Sequence, residues 1–133
     1  MEDKIFNSPL KDSGSRQQFN SGAVRDNGKG KGRFDLLSTQ MLFRLAKHYE
    51  NGALKYEPRN FEKGMPISRC VDAAMRHLTK YLAGWNDEDH LAAVCWNIAA
   101  IMLYEERKPE LMDLPERSDD IEDIQKFVVF KED

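Results

Sequence analysis

The sequence predicts an all-α protein: a small helical bundle with a flexible N-terminal arm and an irregular acidic C-terminal tail, completed by oligomerisation. Three observations lead there. Three successive stretches between residues 38 and 104 carry apolar side chains at helical spacing. Charge is partitioned along the chain. Residues 1–33 hold seven basic and four acidic side chains, residues 34–104 eight of each, and the last 29 residues five basic and eleven acidic. Finally, 133 residues is the length of one domain, yet only 41% are apolar and mean hydropathy is −0.67, so a subunit interface is expected to help bury the core. The boundaries that follow are an arm over 1–33, a helical core over 34–106 and a tail over 107–133.

Five of the eight glycines fall at 14, 22, 28, 30 and 32, within the arm. The arm shows no usable periodicity and holds too little apolar surface to offset its ordering entropy alone. It reads either as a linker or as a segment that drapes over a ligand or neighbouring subunit, with Arg25, Lys29, Lys31 and Arg33 available to phosphate. Its glycine spacing is neither the dinucleotide nor the P-loop fingerprint.

The first helix begins near Ser38 or Thr39, a good cap, and runs to about Lys55, with Leu42, Leu45, Ala46, Tyr49 and Ala53 as its apolar stripe. Glu50 lies at the edge of that stripe, where a carboxylate needs a partner; Lys47 and Lys55 are within helical reach. A loop punctuated by Pro58, Gly64 and Pro66 follows and gathers Arg59, Asn60, Glu62 and Lys63 around Phe61. The second helix starts at Ile67–Ser68, with the serine as cap, and ends before Gly84; Val71, Ala74, Met75, Leu78 and Leu82 form its core face. Asp72, Arg76 and Lys80, spaced four apart, stack along one flank, and the bland reading of that flank is a solvated salt-bridge ladder. His77 lies one step round from it.

The third helix is capped by Asp87-Glu88-Asp89, and from Leu91 to Tyr104 it is apolar on every side except at Asn97. A helix apolar all round is surrounded by protein. Asn97 needs amide partners there, and His90 lies two turns before it with the small Ala93 between, which makes a polar cavity as natural as a satisfied structural asparagine. In the tail, Ile121–Lys126 reads as a short helical turn and Phe127–Phe130 as the only strand-like run of the chain.

Several function classes are excluded at this stage. A net charge of −3 argues against general nucleic-acid binding. No apolar run approaches the ~20 residues that cross a bilayer, and Met1-Glu2-Asp3-Lys4 has no signal pattern, so a cytoplasmic protein without membrane association is expected. Cys70 and Cys95 read as two buried thiols rather than a disulfide framework or zinc site. The eight acids of the core, several on inward helix edges and with no thiolate partners, suit a hard divalent cation that bridges phosphate oxygens, with Lys55, Arg59, Arg69, Arg76 and Lys80 offsetting polyphosphate charge.

The ordered blocks Gly30-Lys-Gly-Arg-Phe-Asp-Leu-Leu37, Tyr49-Glu-Asn-Gly-Ala-Leu-Lys-Tyr56, Arg59-Asn-Phe-Glu-Lys-Gly64, Ser68-Arg69, Asp72-Ala-Ala-Met-Arg-His-Leu78 and Glu88-Asp-His-Leu-Ala-Ala-Val-Cys-Trp-Asn97 resemble the phage-type dATP/dGTP diphosphohydrolases. These are MazG-like members of the all-α nucleoside triphosphate pyrophosphohydrolase superfamily, and the likeness spans residues 12–106. It implies hydrolysis of a (deoxy)nucleoside triphosphate between its α- and β-phosphates, assisted by Mg²⁺ or Mn²⁺, in a homodimer or homotetramer. The acidic strings Glu-Glu-x-x-Glu and Glu-x-x-Asp of MazG-like enzymes are absent from the helical core over 34–106, so the ligand set differs from theirs. What the resemblance leaves is a metal shell drawn from Glu50, Asp72, Glu88, Asp89 and His90, with Glu50 or Glu62 orienting water and His77 and Asn97 as orienting or base-contacting groups. Arg33, Lys55, Arg59, Asn60, Arg69, Arg76 and Lys80 then face the nucleotide. Tyr49, Phe61, Trp85 and Trp96 are candidates for stacking on the base, although each also fits a core role. Two other classes stay open: a protein that binds a nucleotide or nucleotide signal without cleaving it, and an interaction protein with neither activity.

Overall fold

The computed structural model of the protein describes residues 9–115. The chain divides into two units, one ending at Leu37 and the other beginning at Ser38.

In the first unit, strands β1 (Arg16–Gln18) and β2 (Val24–Asp26) pair antiparallel, with Arg16 opposite Asp26, Gln17 opposite Arg25 and Gln18 opposite Val24. The turn closes through Phe19 N–H to the Ala23 carbonyl at 2.9 Å and Gly22 N–H to the Phe19 carbonyl at 2.8 Å, with Gly22 at φ +92°. The Asp26 carboxylate anchors the base of the hairpin, accepting from Ser13 Oγ at 2.6 Å and Lys31 Nζ at 3.0 Å, which holds its carboxyl well below the usual range. Part of the arm is therefore a built hairpin, where the sequence read either as a linker or as a segment draped over a ligand or subunit. Its strands are three residues long and almost wholly exposed, so polar side chains and the turn specify it, and apolar alternation never develops. A 3-10 turn over Phe34–Leu36 ends this unit.

The second unit is helical: α1 (Thr39–Lys55), α2 (Ile67–Leu82) and α3 (His90–Arg107), with short 3-10 turns at Asn60–Lys63 and Pro109–Leu111. Ser38 caps α1, its Oγ accepting from Met41 N–H at 3.2 Å. Asp89 caps α3 by accepting from Ala92 N–H at 3.0 Å. At α2 the expected serine cap is displaced. Pro66 occupies the cap position, and Ser68, inside the helix, donates from both N–H and Oγ to Asp113, at 2.8 and 2.5 Å. A carboxylate supplied from beyond α3 thus satisfies donors that local sequence leaves open. Gly84, at φ +87°, ends α2 as expected.

The α3 helix packs chiefly on α2 and less extensively on α1. Ile67, Cys70, Ala100 and Tyr104 form the buried centre, with Val71, Trp96, Ile101, Leu103 and Leu111 packed around them. Both cysteines are free thiols, Cys70 buried and Cys95 half-buried. The core is small. No residue of α1 is fully buried, and Leu42 from its expected stripe is exposed. On α2, Met75 and Leu82 are 66% and 86% exposed, and Ile98 and Met102 of α3 are exposed too. Among the described residues, therefore, parts of the apolar faces of α1, α2 and α3 stay exposed. No helix among the described residues is long and apolar enough to cross a membrane. The tail readings over Ile121–Lys126 and Phe127–Phe130 lie outside the described residues.

Candidate functional site

A cleft of about 1160 Å³ opens in the helical unit, walled by the second half of α1, the loop to α2, the first half of α2 and the start of α3. Small side chains make room for it: Ala73 on α2 and Ala93 on α3 both line it where larger residues would fill it.

One wall is aromatic. Tyr49 and Trp96 lie 6.4 Å apart between ring centres, Phe61 meets Tyr49 edge-on at 5.4 Å and Trp96 at 6.1 Å, and His48 approaches Trp96 at 6.1 Å. Burial lowers the His48 pKa and raises that of Tyr49. Phe61 is held by its backbone, because the buried Tyr104 hydroxyl donates to its carbonyl at 2.6 Å.

At the base of this wall stands Asn97, buried to 6% exposure. Its Nδ2 donates to the Ala93 carbonyl one turn back at 2.8 Å, which fixes the amide orientation and leaves Oδ1 as an acceptor with no partner among the described residues. No side-chain oxygen or nitrogen among the described residues is both sealed from solvent and unpartnered, so Oδ1 meets the space of the cleft.

The third feature is a pair of imidazoles. His77 Nδ1 and His90 Nδ1 are 2.9 Å apart, and His90 Nε2 lies 2.8 Å from Asp87 Oδ1. His90 is 2% exposed and His77 half-buried; desolvation is the main reason that the His77 pKa is lowered. With Glu88 they form the one group of three metal-ligating side chains among the described residues, the ligating atoms all within 4.8 Å of one another.

Charged side chains rim the opening. Arg44 grips Asp89 with two contacts, at 2.8 and 2.6 Å, and this pair brings the Asp89 carboxyl down to about 2. Glu50 pairs with Lys47 at 2.6 Å, which lowers its pKa. Arg59 is the only described residue other than glycine with positive φ, at +65°, and its guanidinium contacts Glu62 at 2.5 Å. Lys55 lies over the Tyr56 ring.

The cleft thus collects Glu50, Lys55, Arg59, Asn60, Arg69, His77, Glu88, Asp89 and Asn97 from the residues singled out in the sequence, with His90 buried behind His77. Asp72, Arg76 and Lys80 lie elsewhere on the helical unit. Asp72 is exposed on the α2 flank, where it pairs with Arg76 as its spacing suggested and also with Arg69 at 2.6 Å, and the Arg76 contact lowers its pKa. Lys80, on the same helix, lies over the ring of Trp85, which follows the helix end. Arg33 pairs with Asp35 at 2.7 Å in the first unit. Glu50, Asp72 and Asp89 do not converge on one point; each is engaged by a different cation. Sequence reasoning overlooked Arg44 and His48. His48 left one trace, its place beside Tyr49 in α1; the Arg44–Asp89 pair, 45 residues apart, left none.

A family model described as dATP/dGTP diphosphohydrolase, N-terminal, matches residues 21–114, which include every residue that lines this cleft. No curated protein and no solved structure matches the chain.

Proposed function

The chain belongs to the dATP/dGTP diphosphohydrolase family by its N-terminal domain, and from that membership we propose that it hydrolyses purine deoxynucleoside triphosphates to the monophosphate and pyrophosphate with the help of a divalent cation. The observation that carries the reading is the composition of the cleft: an aromatic wall, an asparagine acceptor, five basic side chains and five carboxylates share one opening.

Each part answers a part of the substrate. Tyr49 and Trp96 offer ring faces and edges to a base, and Asn97 Oδ1 accepts from an amino or imino N–H of adenine or guanine. Lys55, Arg59 and Arg69 offset triphosphate charge, which grows on the leaving pyrophosphate as the bond breaks. Asn60 donates to a phosphate oxygen. Glu50, at the rim and ionised, orients the attacking water and takes its proton. Glu62 acts one step back, fixing Arg59. Mg²⁺ or Mn²⁺, when bound, would supply charge neutralisation and polarise phosphorus, with the Glu50 and Asp89 carboxylates at the cleft as oxygen donors suited to such a hard ion. Asp72, Arg76 and Lys80 stand outside this arrangement in the single chain. The exposed apolar faces of α1 and α2 support a homodimer or homotetramer as the working form.

The decisive experiment follows pyrophosphate and monophosphate release from each deoxynucleoside triphosphate with Mg²⁺ and with Mn²⁺. The expected result is turnover of dATP and dGTP, with Glu50→Gln lowering kcat about 100-fold or more. Tight nucleotide binding with no product would replace this reading with that of a sequestering protein. Neither binding nor turnover, with Glu50→Gln indistinguishable from the parent, would end both.

A further inference from the structure

The imidazole pair has a feature that helix capping and packing do not explain. His90 is held from one side by Asp87, whose carboxylate only accepts, so in neutral His90 the proton resides on Nε2 and Nδ1 carries a lone pair. That lone pair is directed at His77 Nδ1, 2.9 Å away. A buried histidine whose tautomer and ring orientation are set by an outer carboxylate, with its other nitrogen turned toward further donors, is the arrangement used by metal-bound histidines. The exposed Glu88 carboxylate falls within the same small group and enters no ion pair among the described residues. Both His77 and Glu88 line the cleft.

We propose that His77, Glu88 and His90 form a resident site for a borderline transition cation of the Co²⁺ to Zn²⁺ kind, bound through two imidazole nitrogens and one carboxylate oxygen and discriminating against Mg²⁺. Without the ion, His77 donates its Nδ1 proton to His90. On binding, that proton moves to His77 Nε2, so both rings stay neutral and both Nδ1 lone pairs face the cation. Three protein donors leave coordination positions for water or a phosphate oxygen from the cleft. Two nitrogens in the set are the reason for the preference: imidazole favours Zn²⁺, Co²⁺ and their neighbours, whereas Mg²⁺ is selected by all-oxygen shells. The site deepens the hydrolase reading, on which it rests for the role of the ion but not for its binding.

The test is titration of the full, tag-free chain with Co²⁺ in the absence of nucleotide, read by visible absorption, with calorimetry for Zn²⁺, Mn²⁺ and Mg²⁺. One Co²⁺ per chain is expected, Zn²⁺ binding tightest and Mg²⁺ at least about 100-fold weaker. Glu88→Gln, on the surface, and His77→Ala should each weaken Co²⁺ binding at least about tenfold. Asp87→Asn, a positioning change, should weaken it about tenfold and leave one ion per chain. Co²⁺ affinity unchanged in Glu88→Gln and His77→Ala, or Mg²⁺ binding as tightly as Zn²⁺, overturns the site. Hydrolysis assayed in parallel separates the two readings. Turnover with Mg²⁺ and no Co²⁺ binding removes the site and leaves the enzyme; Co²⁺ binding lost in the variants, with no nucleotide turned over, leaves the site and removes the enzyme.

Discussion

The Tyr104 hydroxyl, on a side chain with no exposed surface, donates to the Phe61 carbonyl at 2.6 Å, and burial pushes its pKa from 10.0 up to about 12. A phenol whose folded pKa is raised stabilises the fold fully below its unfolded value and ceases to do so as pH rises through the folded value. We expect stability to fall between about pH 10 and about pH 12, and urea titrations across that range to show less of the fall in Tyr104→Phe. At neutral pH the same variant should cost about 1–2 kcal/mol, because the Phe61 carbonyl loses its partner. Asn97 offers the corresponding test of recognition. Asn97→Leu keeps a helix-forming residue of similar size but removes the cleft acceptor, so affinity for purine nucleotides should drop about tenfold while the helical circular dichroism is retained.

At the level of the elements, local chemistry set most of what the sequence made readable. Ser38 and Lys55 bracket α1 as anticipated, and Gly84 and the acids at 87–89 mark the end of α2 and the start of α3. The unreadable parts depend on contacts between distant residues. Asp113 reaching Ser68, and His77 meeting His90, follow from how α3 lies against α2, a register that no local pattern encodes. For the same reason the acids expected to converge were legible as residues and illegible as a group: Glu50, Asp72 and Asp89 each found a nearer cation. The Asp113 contact is testable, since Asp113→Ala strips the acceptor from two donors at the first turn of α2 and should cost about 1 kcal/mol in urea denaturation. Gly64 is a stricter constraint. It sits at φ +101°, and a Cβ there would come within 2.8 Å of Leu111 Cδ1 and 3.2 Å of Lys108 Cδ. Gly64→Ala should therefore destabilise by about 2 kcal/mol or more, seen as a lower Tm.

For the molecule as a whole, the thin core and the bare apolar faces raise the same issue as the modest hydropathy of the sequence. Leu42, Phe43, Met75, Leu78 and Leu82 are all exposed in the single chain, Phe43 at 78%, a surface that isolated monomers seldom present. Light scattering coupled to size exclusion is expected to give a mass of two or four chains. Leu78→Glu together with Met75→Glu should shift that mass toward one chain and lower Tm, since association and stability are linked. An unaltered single-chain mass in the parent protein would remove the oligomer from the proposed function.

The left-handed backbone at Arg59 bears on any attempt to harden this protein against heat. An L side chain in that conformation carries an intrinsic penalty that glycine escapes. Selection for thermal endurance alone would drift toward Arg59→Gly, neutral to about 1 kcal/mol more stable. Variants enriched that way would survive heating yet have surrendered a guanidinium from the mouth of the cleft, and their robustness would come with slower nucleotide turnover.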